Sequence, residues 1–114
     1  MKWSKEKANS WYKKQPWLVG CNFLPSSAIN QLEMFQEETF DEETIEKELD
    51  WARDLGFNSL RVYLHDLLWS KKDKFKKNFD KFLDICEKRN IKPIIVLFDD
   101  CHRPFPKLGK QPLP

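Results

Sequence analysis

Glycine is scarce in this sequence, with only Gly20, Gly56 and Gly109 among 114 residues. Three isolated glycines write neither a G-x-G-x-x-G dinucleotide fingerprint nor a phosphate-cradling loop, so nucleotide binding is disfavoured. Cysteine is scarce too and odd in number: Cys21, Cys86 and Cys101 have no C-x-x-C spacing, which argues against a disulfide framework or a zinc ribbon. The two histidines, His65 and His102, stand without H-x-H or H-E-x-x-H spacing. A metal site from His65, Asp66, Asp99 and His102 across neighbouring strands is conceivable, but the pattern is too sparse to assign one, and no metal or cofactor is expected. An excess of one charge is also missing. Twenty Lys and Arg face eighteen Asp and Glu, a net charge of +2, so there is no basic footprint for nucleic acid. No run of about eighteen apolar residues occurs, which excludes a helical membrane span. The opening "MKWSKEKANSWYKK" has no apolar core of a signal peptide, so no leader is expected, and the compartment is left open.

What remains is the composition of one ordinary domain, 40% hydrophobic and 14% aromatic. Ser4 to Lys14 reads as a short amphipathic helix with Trp3, Trp11 and Tyr12 as its apolar contacts, stopped by Pro16. "WLVGCNF", Trp17 to Phe23, suits a buried strand, and Ser27 to Phe35 a loop or short helix. The clearest helix runs from about Asp41 to Leu55, with Asp41 as N-cap, Glu42 and Glu43 in its first turn and Gly56 just past its end. Ile45, Leu49 and Ala52 make its apolar stripe. A second strand spans Asn58 to Leu64. A second helix spans Lys72 to Lys88, with Phe75, Phe79, Phe82, Leu83 and Cys86 on one face and the lysines on the other. Asn90 suits a left-handed cap, and "KPIIVLFDD" supplies a third strand from Pro93 to Phe98. Strands alternating with helices predict right-handed crossovers and a parallel sheet. Either an open doubly wound sheet or a closed eight-stranded barrel satisfies that pattern, and in both a ligand meets the carboxyl ends of the strands.

Polar residues gather at those ends: Cys21 and Asn22 after strand one, His65 and Asp66 after strand two, Asp99, Asp100, Cys101 and His102 after strand three. Capping and turn formation also use Asp and Asn, so no single one of these residues identifies a site. As a set, they point to a functional rim. Strand two adds a second signal. Alternation sends Leu60, Val62 and Leu64 to one face and Arg61, Tyr63 and His65 to the other. If that second face looks into a barrel, the guanidinium needs a partner, because a buried unpaired charge costs several kcal/mol. Asp99 on the adjacent strand is the candidate; an exposed face of a small open sheet is the alternative. Cys21 and Cys101, on strands one and three, would stand about 10 Å apart in sequential strand order, beyond disulfide reach. Cys86 on a helix stripe reads as a small hydrophobe.

Taken together, "GCNFLPSSAINQLEMF", "LGFNSLRVYLHDLLW" and "KPIIVLFDDCHRPFPKLGKQP" resemble the beginning of the barrel domain of cellulase-like clan A glycoside hydrolases, in particular a bacterial group assigned as β-1,4-xylanases. The resemblance covers essentially the whole chain. It implies an α/β fold made of the first three βα units of a (β/α)8 barrel, with an N-terminal helix and parallel strands. It also implies that residues 1–114 are the N-terminal portion of one such domain, ending after strand three. Gly20 and Asn22 match the family's G-x-N motif of the first strand. Gly56, Asn58 and Arg61 match a G-x-N-x-x-R pattern that places the arginine inside the barrel near the nucleophilic glutamate. Asp99, Asp100 and His102 match the positions that line sugar subsites after strand three; many relatives carry an aromatic sugar platform at the position of His102. The implied site residues are therefore Asn22, Arg61, His65, Asp99, Asp100 and His102, all contacts to an oligo- or polysaccharide and none of them catalytic. A retaining mechanism needs two carboxyl groups about 5 Å apart, in this family glutamates after strands four and seven, so the 114 residues alone are expected to be inactive. Complete relatives are secreted or periplasmic. The alternative from another class is a non-catalytic carbohydrate-binding or protein-interaction module that self-associates through an open strand edge.

Overall fold

Two helices are closed by the same device, and each hands the chain directly to a strand. In the computed structural model, which describes residues 1–100 and 104–113, helix α3 is Glu42–Asp54 and helix α4 is Lys72–Lys88. Past α3, Gly56 takes φ +89°; its N–H donates to Arg53 O and the Phe57 N–H to Ala52 O. Past α4, Asn90 takes φ +54°; its N–H donates to Glu87 O and the Ile91 N–H to Cys86 O. Both are Schellman closures, with a residue tolerant of the left-handed region where the chain reverses. Strand β2, Ser59–Tyr63, follows the first, and strand β3, Lys92–Val96, follows the second. At its start, α3 is capped as expected: Asp41 accepts from the Thr44 N–H at 3.1 Å.

Strand β1, Gly20–Asn22, pairs in parallel with β2, and β2 in parallel with β3, so the sheet order is β1-β2-β3. The register aligns Asn22, Arg61 and Ile94 across the sheet. Gly20 lies so close to β2 that an added Cβ would overlap the Ser59 carbonyl. The core forms between the sheet and α3 and α4. Ile45, Leu49 and Ala52 of α3, Leu60 and Val62 of β2, and Phe75, Phe82, Ile85 and Cys86 of α4 are all buried in it. Short helix α2, Gln31–Phe35, adds Leu32, Met34 and Phe35. Phe35 meets Phe75, Phe79 and Phe82 edge to face, with centroids 5.7 to 5.9 Å apart, a geometry that suits the ring quadrupoles. The stretch from Lys71 to Lys77 is exposed except at Phe75, in line with lysines on the face opposite the aromatic stripe.

Four expectations are corrected. Trp17 to Phe23 is not a buried strand: only Gly20–Asn22 is extended, and Trp17, Leu18 and Val19 are exposed. Strand three does not run from Pro93 to Phe98: β3 is Lys92–Val96, Leu97 and Phe98 lie beyond its end, and Ile94 within it is 51% exposed. The continuous apolar run could not reveal that, among the described residues, the core packs on one face of this sheet. Helix α1, Lys5–Lys13, forms and is capped by Ser4, but it buries no residue. Trp3 and Trp11 pack on each other, centroids 6.1 Å apart, rather than into the core. Finally, an unforeseen 3-10 helix spans Asp66–Lys71. It begins one residue after His65, which caps it through its side chain and is only 5% exposed, unlike the exposed Arg61.

Candidate functional site at the carboxyl ends of the strands

Asn58 sets the position of β1, and with it the site. Its Oδ1 accepts from the Val19 N–H at 2.7 Å and its Nδ2 donates to Trp17 O at 2.8 Å. One amide side chain thus satisfies both sides of the segment that leads into β1, holding it in register although its own side chains find little apolar cover. At the other end of β1, Asn22 Oδ1 accepts from Arg61 Nε at 2.7 Å. The Arg61 guanidinium lies over the Tyr63 ring, 5.3 Å from its centroid. Asn22 and Tyr63 constrain Arg61 from two sides, and because Arg61 is exposed on the uncovered sheet face, water can reach its charge. Among the described residues, the side chain that accepts a hydrogen bond from Arg61 is thus a neutral amide and not the expected Asp99 carboxylate.

Beyond the strand ends lies a depression of about 280 Å³, lined by Asn22, Phe23, Leu24, Gln31, Met34, Tyr63 and Asp99. Two sequence-predicted site residues, Asn22 and Asp99, meet there. Gln31 and Tyr63 join them and were not foreseen as site residues. Gln31 is buried and its amide donates to Asp99 O, which joins α2 to the loop after β3. The Asp99 N–H in turn donates to Leu64 O at 2.9 Å. A shallow depression of about 350 Å³ continues along the sheet face between Leu18, Gly20, Asn22, Ser59, Arg61 and Ile94.

His65, Asp66 and Asp100 form a second group on the rim. The Leu67 N–H donates to His65 Nδ1 at 3.1 Å, and the Asp66 N–H donates to Asp100 Oδ1 at 3.1 Å. The same Nδ1 lies 3.1 Å from an Asp66 carboxylate oxygen and 3.6 Å from an Asp100 oxygen. His102, and with it Cys101, lies outside the described residues.

Side-chain amides tie the loops together. Gln36 both donates to and accepts from the backbone of Gly109, Asn30 donates to Gln111 Oε1, and Gln111 is itself buried. Residues 104–113 are thereby fastened against α2. The one signal in the sequence was N-x-x-E at Asn30 and Glu33: Asn30 accepts from the Glu33 N–H, and Glu33 reaches back to the Ile29 N–H, close to a capping box. Nothing in the sequence marks Gln31, Gln36 and Gln111 as buried amides.

A three-stranded parallel α/β sheet with a polar rim at its carboxyl ends is the class that fold and site define. No family model, no curated protein and no solved structure matches this chain.

Proposed function

We propose that the rim is a carbohydrate-contacting surface, and that these residues are the first three βα units of a (β/α)8 barrel of the clan A glycoside hydrolase type. The observation that carries this reading is the 2.7 Å hydrogen bond from Arg61 Nε to Asn22 Oδ1. The resemblance names both residues, each in its own motif and 39 residues apart, and composition or periodicity alone gives no reason for them to meet. The sequential parallel order β1-β2-β3, which such a barrel requires, is in keeping with it.

On this reading, Asn22, Asp99, Gln31 and Tyr63 offer hydrogen bonds and a ring face to sugar hydroxyls, Arg61 presents its charge along the sheet face, and Asp100 extends the rim. His65 acts from beneath, holding the turn into the 3-10 helix. The two glutamates that retaining hydrolysis needs are not at these strand ends: every glutamate of the chain lies in a helix or a connecting loop. The residues therefore bind and orient a β-linked plant polysaccharide and do not cleave it alone. Titration of the isotope-labelled chain with xylohexaose and with cellohexaose is expected to shift the amide resonances of Asn22, Gln31, Tyr63 and Asp99, without release of reducing sugar. Unmoved resonances at saturating sugar overturn the reading.

A second reading is favoured by one observation. Ile94, Leu97 and Phe98 are 51 to 68% exposed beside the open strand β3, an arrangement suited to a protein-interaction module. Concentration-dependent association without sugar affinity would select it.

A further inference from the structure

The His65 group has an electrostatic problem that its hydrogen bonds do not solve. The imidazole is buried, with only 6% of its side chain exposed, and the Leu67 N–H donates to Nδ1. A nitrogen that accepts carries a lone pair and no proton. Yet two carboxylate oxygens, from Asp66 and Asp100, stand 3.1 and 3.6 Å from that nitrogen. Three electron-rich atoms facing one another repel unless something positive lies among them.

We propose that His65, Asp66 and Asp100 form a binding site for a divalent cation of the zinc class. One ligand atom from each residue lies within 4.8 Å of the others. Around a tetrahedral zinc with bonds of about 2.0 to 2.1 Å, neighbouring ligand atoms stand about 3.3 Å apart. The two separations from Nδ1 bracket that value. An imidazole nitrogen with two carboxylates suits zinc better than magnesium or calcium, which prefer all-oxygen sets. The burial of His65 fixes the nitrogen in place, while Asp66, 61% exposed at its side chain, can turn to close the set. On binding, the cation takes the Nδ1 lone pair and the Leu67 N–H is released to water; the fourth position is open to solvent. The Asp66 N–H continues to hold Asp100 as an outer partner, the kind of contact that orients a metal-bound carboxylate. The competing occupant is a proton on Nδ1, which would donate to the same carboxylates. This inference does not depend on the carbohydrate reading.

The test is calorimetric titration of the full chain with zinc chloride, paired with the visible and near-ultraviolet spectrum of the cobalt(II) form. One equivalent of zinc is expected to bind. Asp66→Asn and Asp100→Asn should each weaken binding by at least about tenfold, since even the loss of an outer-shell partner reaches that size. The side-chain amide oxygen introduced by Asp100→Asn would still accept from the Asp66 N–H, so the far-ultraviolet spectrum of that variant should be unchanged. If it is not, Asp66→Asn, at an exposed position, decides alone. The cobalt form separates this site from the exposed Cys21 thiol, because thiolate ligation gives a charge-transfer band that nitrogen and oxygen ligands lack. A thiolate band, affinity unchanged in both variants, or no zinc binding at all would each overturn the proposal.

Discussion

Replacing Gly20 by alanine is expected to detach β1 while leaving the core folded. The added methyl would overlap the Ser59 carbonyl oxygen and lie 2.6 Å from its carbon. The obstruction is backbone of the central strand, so no side chain can swing aside and β1 itself must retreat. In retreating, it breaks the bonds from the Asn58 and Ser59 N–H groups to Val19 O and from the Phe23 N–H to Arg61 O. At about 1 kcal/mol for each of those three, the loss is roughly 3 kcal/mol. Little is added by lost burial, because Gly20, Cys21 and Asn22 are all exposed. The three heavy atoms nearest the added methyl all belong to Ser59, so the damage should be local. Amide hydrogen exchange is the direct assay. Protection at Phe23, Asn58 and Ser59 should fall by about two orders of magnitude, each 1.4 kcal/mol being tenfold. Protection at Ile45, Leu49, Val62 and Phe82 should be retained. Since Asn22 travels with β1, the same variant should free the Arg61 side chain. Unchanged protection at Phe23 would mean that β1 does not approach β2 this closely. Uniform loss across the core would mean that β1 is integral to a single cooperative unit.

Other expectations follow from burial and charge. Phe82, fully buried between Phe23 and Phe35, should cost about 3 to 5 kcal/mol when truncated to alanine, read as a shift in the denaturant midpoint. The Asp41 carboxyl is held below the usual carboxylate range by the Thr44 hydroxyl and then the Thr44 N–H, and that of Asp50 by the Arg89 guanidinium. A carboxyl depressed in the folded state stabilises above its unfolded value, about 3.9, and loses that contribution as pH falls through the folded value. Urea midpoints should therefore decline below about pH 4, and Asp50→Asn should flatten that decline; an unaltered slope would refute the assignment. Burial pushes the Cys86 thiol up to about 12. Native alkylation at pH 8 followed by peptide mapping should label the exposed Cys21 and spare Cys86, and rapid labelling of Cys86 would show that the α4 interface opens.

Most of the helices were legible because they depend on local chemistry. Asp41 and Gly56 bracket α3, and the aromatic stripe places α4 at Lys72–Lys88, as expected. The parallel pairing was legible as well, since strand-helix alternation calls for crossovers of one hand, while the order β1-β2-β3 was expected only of the barrel. The extents of β1 and β3 were not. A run such as "WLVGCNF" advertises hydrophobicity, but strand formation here is set by what the run pairs with, and only Gly20–Asn22 lies along β2. The rim was half legible. Asn22 and Asp99 could be named because strand ends are where ligands meet parallel sheets, and both line the same depression. Gln31 could not, since an uncharged amide in a short helix carries no signal until the loop after β3 arrives to accept from it.

His65 shows the limit of alternation most clearly. Period-two reasoning holds while the chain stays extended, and it assigned Leu60, Val62 and Leu64 correctly to the buried face. Its warrant ends with the strand. Tyr63 is the last residue of β2, and the 3-10 helix starts at Asp66, so His65 belongs to the turn and follows its geometry. There the imidazole is buried, and the Leu67 N–H and two carboxylates converge on one nitrogen. Arg61, two residues before the strand's end, obeys the rule and lands on the uncovered face. Its environment differs from the expected one for another reason: alternation identifies which face a side chain takes, but not whether a second layer covers that face. Here α3 and α4 cover one side of the sheet, and the guanidinium on the other is held by Asn22 and Tyr63 and reached by water. A charge so placed needs no carboxylate for the fold to be stable, so Arg61→Gln should leave the denaturant midpoint within about 0.5 kcal/mol of the parent. It should also weaken any sugar response at Asn22. A large loss of stability would show that the uncovered face is, in solution, occupied.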